Sequence, residues 1–179
     1  PDLRSITEYL DELYGASLSP LVRRVGDYQT TGIFCGFMDD RFALPGDRVL
    51  QPMLEFLQEV LLDSPLEEGA FLNSFVESEK KNLIATIESE LNDKRAYAMK
   101  QLLKIMCYGD SFGMPRLGET EQVAAITAAT LYAHYQTVLR TSPIEIFYVG
   151  SAETEEVARL LMPLVNTLGP RDTVLPPQT

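Results

Sequence analysis

The sequence predicts an α+β fold in which helices cover one face of a mainly antiparallel sheet. Two observations support this prediction. Several segments have the helical spacing of apolar residues, and short runs rich in branched and aromatic residues alternate with these segments. The 179 residues, 45% of them hydrophobic, are enough for one domain with a buried core. We therefore expect a single domain over residues 1–170, followed by a linker or tail at 171–179.

The first third of the chain predicts a helix, a hairpin and a second helix. Apolar residues at steps of three and four predict an amphipathic helix over residues 2–14, ending before Gly15. Strand-like runs at 16–25 and 28–38 flank Gly26-Asp27, a dipeptide suited to a hairpin turn. Apolar spacing then predicts a helix over residues 50–63.

A long helix is predicted in the middle of the chain. The stretch Ser64-Pro65-Leu66-Glu67 combines an N-cap serine, a proline at the first helical position and a following glutamate. Apolar positions continue from there to Cys107, and an unbroken helix would approach about 60 Å at ~1.5 Å per residue. Because this is long for one domain, we expect a bend near Asn92-Asp93.

The last third predicts a loop, a helix, a strand and a helix. Glycines and a proline predict a loop over 108–119, and apolar spacing predicts one helix over 120–140. The stretch PIEIFYVG predicts a short buried strand at 143–150, on which a capped helix over 151–165 packs back. Three strands are few for five helices, which indicates that strands are missing upstream or are supplied by a partner.

Charge and cysteine content exclude several classes of protein. The 26 Asp and Glu against 15 Lys and Arg give a net charge of −11, which repels nucleic acid and anionic lipid surfaces. The sequence contains neither a run of about 18 to 20 apolar residues nor a leader pattern. Cys35 and Cys107 lie in apolar contexts without CxxC spacing, so we expect buried, reduced thiols and a cytoplasmic location.

No catalytic residue is predicted from the residues themselves. His134 is the only histidine, and with no convergent partner in sequence we interpret it as a surface or packed helix residue. A zinc motif of the HxxEH kind is absent.

No anion site is predicted either. Anion binding at the start of the last helix is disfavoured by its acidic first turns. The glycines of the 108–119 loop do not follow a strand, as those of a phosphate-binding loop would. The residues concerned are Glu153, Glu155, Glu156, Gly109, Gly113 and Gly118.

The acidic residues of the long helix raise the question of a cation site. A helix face does not converge several oxygens on one ion, as hard cations require. Interleaved lysines and arginines favour a solvated face with ion pairs, each contributing about 0.3 to 0.5 kcal/mol. The carboxylates concerned are Glu77, Glu79, Glu88, Glu90 and Asp93.

The order of three segments resembles a known family. They are LDELYGASLSPLVRRVGDYQTTGIFCGF, VESEKKNLIATIESELNDKRAYA and the stretch from YGDSFGMPRLGET to IEIFYVGS. In this order they are similar to the insulinase/pitrilysin-like zinc metallopeptidases, which include the mitochondrial processing peptidases. The similarity extends over residues 10–164 and is greatest to bacterial members whose halves have lost the catalytic motif.

This resemblance implies a half unit with a sheet on one side and helices on the other, two such halves enclosing a peptide chamber. Active members carry HxxEH near the start of the first half and a zinc-binding glutamate on a long helix further on. Glu79 falls where an accessory glutamate is common, Thr86 occupies the place of the ligand glutamate, and Glu88 is displaced from it. A threonine hydroxyl is a poor zinc ligand. The resemblance therefore implies no metal site and no cofactor in this chain, with zinc expected only in an active partner.

The function implied is that of a non-catalytic domain, a structural or substrate-holding half that pairs with an active peptidase subunit. By the same comparison, the first strands of the half precede this chain, so its N-terminal part is expected to be incomplete. One alternative is a fragment of an active zinc metalloendopeptidase whose HxxEH lies upstream. Another is a free-standing domain that binds an extended peptide at a sheet edge.

Overall fold

The computed structural model of the protein describes residues 3–25 and 28–169. These residues form an α+β fold, as the sequence predicts, and divide into two compact units. Of the described residues, unit 1 contains 3–21, 32–65 and 136–169, and unit 2 contains 22–25, 28–31 and 66–135. The predicted tail at 171–179 lies outside the described residues, and the single domain over 1–170 stays a prediction.

The main core of unit 1 lies between its first two helices and the hairpin base. Helix α1 spans Leu3–Glu12 and helix α2 spans Leu50–Leu62. Their apolar faces bury one cluster, and Leu18, Cys35 and Phe37 from the hairpin region pack against it. The buried members of this cluster are Leu10, Leu13, Ala16, Met53 and Phe56. The amphipathic spacing of the sequence therefore locates this core correctly.

The predicted hairpin is confirmed. Strand β1 spans Ser17–Val25 and strand β2 spans Tyr28–Gly36, and the two form one sheet. Ser17 Oγ donates a hydrogen bond to the Gly36 carbonyl at 3.3 Å, and Thr30 Oγ1 donates to the Arg23 carbonyl at 3.3 Å. As residue numbers rise along β1 they fall along β2, so the strands are antiparallel. The predicted Gly26-Asp27 turn lies outside the described residues.

A second cluster in unit 1 joins α2 to the last helix, whose predicted existence is confirmed. This helix is introduced here as α7 and spans Thr154–Leu168. Its Val157 is buried with Leu50 and Leu54 of α2. The start of α2 has no local side-chain cap, and Asp40 Oδ1 instead accepts hydrogen bonds from the Val49 and Leu50 amides at 2.8 and 2.9 Å. A carboxylate ten residues upstream thus satisfies the amides that a helix start leaves unpaired.

Unit 2 is built mainly from helices. Helix α3 spans Asn73–Ser89, a single 3-10 turn follows at Glu90–Asn92, and helix α4 spans Lys94–Met106. The predicted bend is therefore confirmed. Its cause is Asp93, whose side chain accepts hydrogen bonds from the Arg95 and Ala96 amides and caps a new helix.

The predicted helix start at Ser64–Glu67 is wrong. Residues Leu66–Glu67 form strand β3, which pairs antiparallel with β4 at Ala70–Phe71. Glu68 and Gly69 connect them with φ angles of 52° and 79°. Two consecutive residues with positive φ are the backbone of a tight two-residue hairpin turn, for which glycine is suited. The turn outweighs the local helix-start pattern, and the helix begins only at Asn73.

The single helix predicted over 120–140 is two helices. Helix α5 spans Thr120–Ala124 and helix α6 spans Ala128–Thr141. Between them, Thr127 Oγ1 accepts a hydrogen bond from the Thr130 amide at 3.2 Å, and Thr130 Oγ1 accepts one from the Thr127 amide at 3.0 Å. This reciprocal exchange caps α6 separately, in the manner of a capping box. The predicted loop before α5 is confirmed and contains one 3-10 turn at Ser111–Gly113.

The buried strand predicted at 143–150 is also wrong. These residues pair with no strand among those described, and they are exposed except for the half-buried Tyr148. Their branched and aromatic residues have high strand propensity, but propensity alone does not supply a neighbouring strand. Separately, no helix in the described part of the chain has both the length and the apolar character needed to cross a membrane.

Candidate functional site

The carboxylates of α3 and its C-terminal bend engage in local structure. Lys80 Nζ donates to Glu77 Oε1 at 2.8 Å, and Lys100 Nζ donates to Glu90 Oε2 at 2.6 Å. Asp93 is the cap of α4 described above. Glu88 is exposed. Because these side chains are directed to lysines and helix amides in different places, the geometry agrees with the solvated face predicted from the sequence.

Thr86 lies on the exposed side of α3, in the position where the resemblance places a zinc-binding glutamate. Its Oγ1 donates a hydrogen bond to the Asn82 carbonyl one turn earlier, at 2.8 Å. This hydroxyl bond to the helix backbone is a common arrangement for threonine within a helix. Glu79 accepts a longer contact of 3.4 Å from the Asn82 side-chain amide. The Thr86 hydroxyl is therefore hydrogen-bonded to the backbone of its own helix.

The residues present do not fit a zinc site. Tetrahedral zinc in proteins takes three or four ligands from histidine, cysteine and carboxylate side chains. Over residues 3–25 and 28–169, no group of three or more such side chains is placed to hold a metal ion. The only histidine, His134, is exposed on α6.

The two cysteines are free and half-buried. Cys35 packs against the main core of unit 1, and this burial raises the pKa of its thiol above the ordinary value. A raised pKa keeps the thiol protonated and weakens it as a nucleophile. Cys107 ends α4, where its amide bonds to the Leu103 carbonyl at 2.9 Å. The expectation of reduced thiols agrees with this arrangement, although neither residue is fully buried.

The start of α7 carries the acidic first turn that the sequence predicts. Glu155 and Glu156 lie in that turn, and Glu153 precedes it without making a side-chain cap. Negative charge stabilises a helix N-terminus and opposes an anionic ligand there. In the loop before α5, Gly109 and Gly118 have positive φ angles of 85° and 76° and lie in turns. Neither place has the geometry of a phosphate-binding loop.

Sequence reasoning missed two polar contacts that organise unit 1. The Tyr14 hydroxyl donates to Asp47 and accepts a hydrogen bond from the Leu44 amide at 3.0 Å. The Ser151 hydroxyl donates to Asp39, which also bonds the Arg41 amide at 3.0 Å, and these bonds lower the pKa of Asp39. Both contacts join residues distant in sequence, so no local pattern could have identified them.

In unit 2, Arg24 makes a comparable contact. Its Nη1 donates to the Phe112 carbonyl at 2.7 Å, its Nη2 donates to the Met114 carbonyl, and its guanidinium lies 5.5 Å from the centre of the Phe112 ring. A planar guanidinium is suited to such a double contact. Arg24 thus ties the far half of the hairpin to the 110–114 loop within this unit.

Comparisons with known proteins are consistent with a metallopeptidase-like chain. No family model matches it. A curated relative that is similar over most of this chain is described as a probable inactive metalloprotease. That relative is YmfF of Bacillus subtilis (strain 168), which is 28% identical over 157 residues, covering 88% of this chain and 37% of the relative.

A solved structure confirms the α+β fold. It is the crystal structure of a conserved protein from Enterococcus faecalis V583, with a TM-score of 0.88 and 30% sequence identity. The match covers 96% of this chain and 40% of that protein. The chain therefore spans less than half the length of either similar protein.

Proposed function

We propose that this chain is a non-catalytic domain of an insulinase/pitrilysin-like peptidase, a structural or substrate-holding half that pairs with an active, zinc-bearing peptidase subunit. In this arrangement the chain forms part of the wall of the peptide chamber and contacts the substrate, and the partner cleaves the peptide. The chain spans only 37% of its curated relative. The activity of the whole protein is therefore proposed as well, since the relative's name describes a longer protein.

The observation that carries the proposal is Thr86. On the helix where the resemblance places a carboxylate ligand, the chain has a hydroxyl bonded to its own backbone. A neutral hydroxyl cannot replace a carboxylate in charge or in affinity for zinc. The carboxylate nearest to Thr86 in sequence is Glu88. It lies two residues further on, which places it about 200° away around a helix of 3.6 residues per turn.

Two further observations support the same conclusion. The sequence has one histidine, whereas HxxEH needs two. The relative YmfF is itself described as a probable inactive metalloprotease. We also propose a cytoplasmic location, supported by two free cysteines without a disulfide between them.

The decisive experiment measures zinc content and peptide cleavage with the purified chain. We expect well below one zinc per chain after equilibrium dialysis, and no cleavage of a fluorogenic peptide library. The variant His134→Ala is the control, since it removes the only imidazole and should leave both results unchanged. Stoichiometric zinc together with cleavage by this chain alone would overturn the proposal.

A second measurement tests the pairing. Peptidase subunits of the same organism that carry HxxEH are mixed with the chain and examined by light scattering and cleavage assays. We expect a complex and a higher kcat/KM for the active subunit in the mixture. An HxxEH motif elsewhere in the same polypeptide, with zinc-dependent cleavage by that polypeptide alone, would instead favour a fragment of an active metalloendopeptidase.

A further inference from the structure

Helix α4 of unit 2 presents its apolar side chains to water. None of its residues is buried. Four apolar residues, between 48% and 74% exposed, form what is called here the outward face of α4: Met99, Leu102, Ile105 and Met106. Successive residues of a helix are about 100° apart, which places these four within about 120° of one another. The face is therefore one continuous apolar surface.

The polar side of α4 is directed to the unit to which the helix belongs. Lys100 Nζ donates to Glu90 Oε2 at 2.6 Å, and Lys104 Nζ donates to Glu119 Oε1 at 2.8 Å. Both lysines lie on the side of the helix opposite the outward face. A helix at the surface of a domain ordinarily buries its apolar side and exposes its polar side. In α4 this orientation is reversed.

The spacing along the outward face is that of a helix–helix contact. Met99, Leu102 and Met106 follow alternating steps of three and four residues, the steps along which two helices interlock side by side. Ile105 lies one turn from Leu102 on the same side. The 13 residues of α4 give a length of about 20 Å. A second helix of similar length would therefore cover the face.

The two ends of α4 differ in charge. Lys94 and Arg95 are exposed in its first turn, and even with the capping Asp93 this end has one net positive charge. Cations are unfavourable at a helix N-terminus, because the helix dipole is positive there. Beyond the other end lies the exposed Asp110, on the negative side of the dipole. An antiparallel neighbour of the same sequence would bring unlike charges together at both ends.

We propose that the outward face of α4 is an interface between two copies of this chain, in which the two α4 helices pack antiparallel about a twofold axis at Leu102. In this register Met99 of one copy lies opposite Ile105 of the other, and Lys94 lies opposite Asp110. The same residues meet on both sides, as a twofold interface requires. This proposal goes beyond the pairing with a peptidase subunit and does not rest on it.

The net charge of unit 2 permits this contact. The ranges of unit 2 contain 11 Asp and Glu against 9 Lys and Arg, a formal charge of −2, whereas those of unit 1 contain 15 against 6, a formal charge of −9. Contact through unit 2 therefore meets less repulsion than contact through unit 1 would. One helix face is smaller than the ~800 Å² per partner of a stable interface. We accordingly expect a weak, reversible dimer with a Kd on the order of 10 to 100 µM.

Sedimentation equilibrium of the complete translation product of the gene tests the proposal, at concentrations from well below to well above this Kd. We expect Ile105→Glu to weaken the dimer at least about 10-fold, because it places two carboxylates in an apolar contact. Phe147→Glu is the matched control. It exchanges an equally apolar, 84% exposed residue of unit 1 for the same charge and should leave the Kd unchanged.

A second pair of variants tests the antiparallel direction. Asp110→Asn keeps an oxygen that can accept the 2.7 Å bond from the Phe112 amide but removes the charge. In an antiparallel dimer we expect Asp110→Asn and Lys94→Gln each to weaken the dimer about 3-fold, and the double variant to be little weaker than either. In a parallel dimer Asp110 would lie beside its counterpart, so Asp110→Asn would strengthen the association instead.

Four results would overturn the proposal. A product that stays monomeric at every concentration would show that no second copy covers the face. An unchanged Kd in Ile105→Glu would place the contact elsewhere, and a stronger dimer in Asp110→Asn would contradict the antiparallel direction. Protection of α4 only with an added peptidase subunit would identify a different protein as the occupant. If Ile105→Glu does not fold, the Asp110→Asn result decides. None of these results affects the test for zinc and cleavage, so the two proposals fail separately.

Discussion

Met53 is the side chain on which the core of unit 1 is expected to depend most. It lies in α2, is 0% exposed and packs among Leu10, Leu13 and Phe56. Substitution Met53→Ala removes three side-chain heavy atoms from a site closed on every side. The loss combines the transfer of these atoms to water with the cavity that remains.

The expected cost is about 3 kcal/mol, within the range of ~2 to 5 kcal/mol for truncating a buried methionine to alanine. With a urea dependence near ~2 kcal/mol per molar, the unfolding midpoint should fall by about 1.5 M. Met99→Ala is the matched control, because Met99 is 55% exposed on α4 and should change stability by less than about 0.5 kcal/mol.

The assay is urea titration followed through the resolved backbone amide signals of α1 and α2, which report unit 1 directly. For Met53→Ala we expect a lower unfolding midpoint in these signals, and for Met99→Ala an almost unchanged one. Equal midpoints for the two alanine variants would refute the assignment of Met53 to the centre of this core.

Three further predictions concern backbone geometry and polar contacts. Gly69→Ala should destabilise the protein by about 1 kcal/mol in thermal unfolding, because the φ of 79° is unfavourable for alanine. The control Gly32→Ala should cost less, because Gly32 has open space around it and no positive φ. Equal losses of stability in the two variants would contradict the turn assignment. Arg24→Ala should lower stability by about 1 kcal/mol and accelerate amide exchange in the 110–114 loop, and Arg24→Lys should restore little, since an ammonium cannot reproduce the planar double contact; full rescue by lysine would count against it. Lys104 donates to Glu119 at 2.8 Å, and this contact lowers the pKa of the Glu119 carboxyl. The ion pair therefore stabilises the folded protein above the ordinary carboxyl pKa of 4.5, and this stabilisation is lost as the pH falls through the pKa of Glu119 in the folded protein. Glu119→Gln should flatten the dependence of the unfolding temperature on pH below about pH 5, and an unchanged slope would show that the pair does not form.

Elements with long amphipathic patterns could be predicted from the sequence. Helices α1, α2, α3, α4 and α7 follow apolar spacing, and the hairpin follows two strand-like runs around a turn dipeptide. Boundaries were less accurate where a local pattern competed with a turn. The Ser64–Glu67 pattern has the chemistry of a helix start, but the positive φ angles of Glu68 and Gly69 close a small hairpin first.

For the candidate site, the sequence predicts that the carboxylates of the long helix form a solvated face. It also predicts neither a catalytic residue nor a metal ligand, and this stays a prediction. The sequence has a single histidine and a helix face on which charges of both signs interleave, a pattern that favours a solvated face over a metal or hydrolytic centre. The place of Thr86 follows from the family resemblance. The contacts of Arg24, Asp39 and Tyr14 could not be predicted, because each joins segments far apart in the chain.

The sequence by itself determined the α+β class, the amphipathic helices and the lack of an HxxEH motif, because these depend on the order and spacing of residues. Only the tertiary structure decided what became of PIEIFYVG. Its residues have the propensity of a buried strand, but a strand is completed by hydrogen bonds to a neighbour, and no neighbour lies beside it in the described residues.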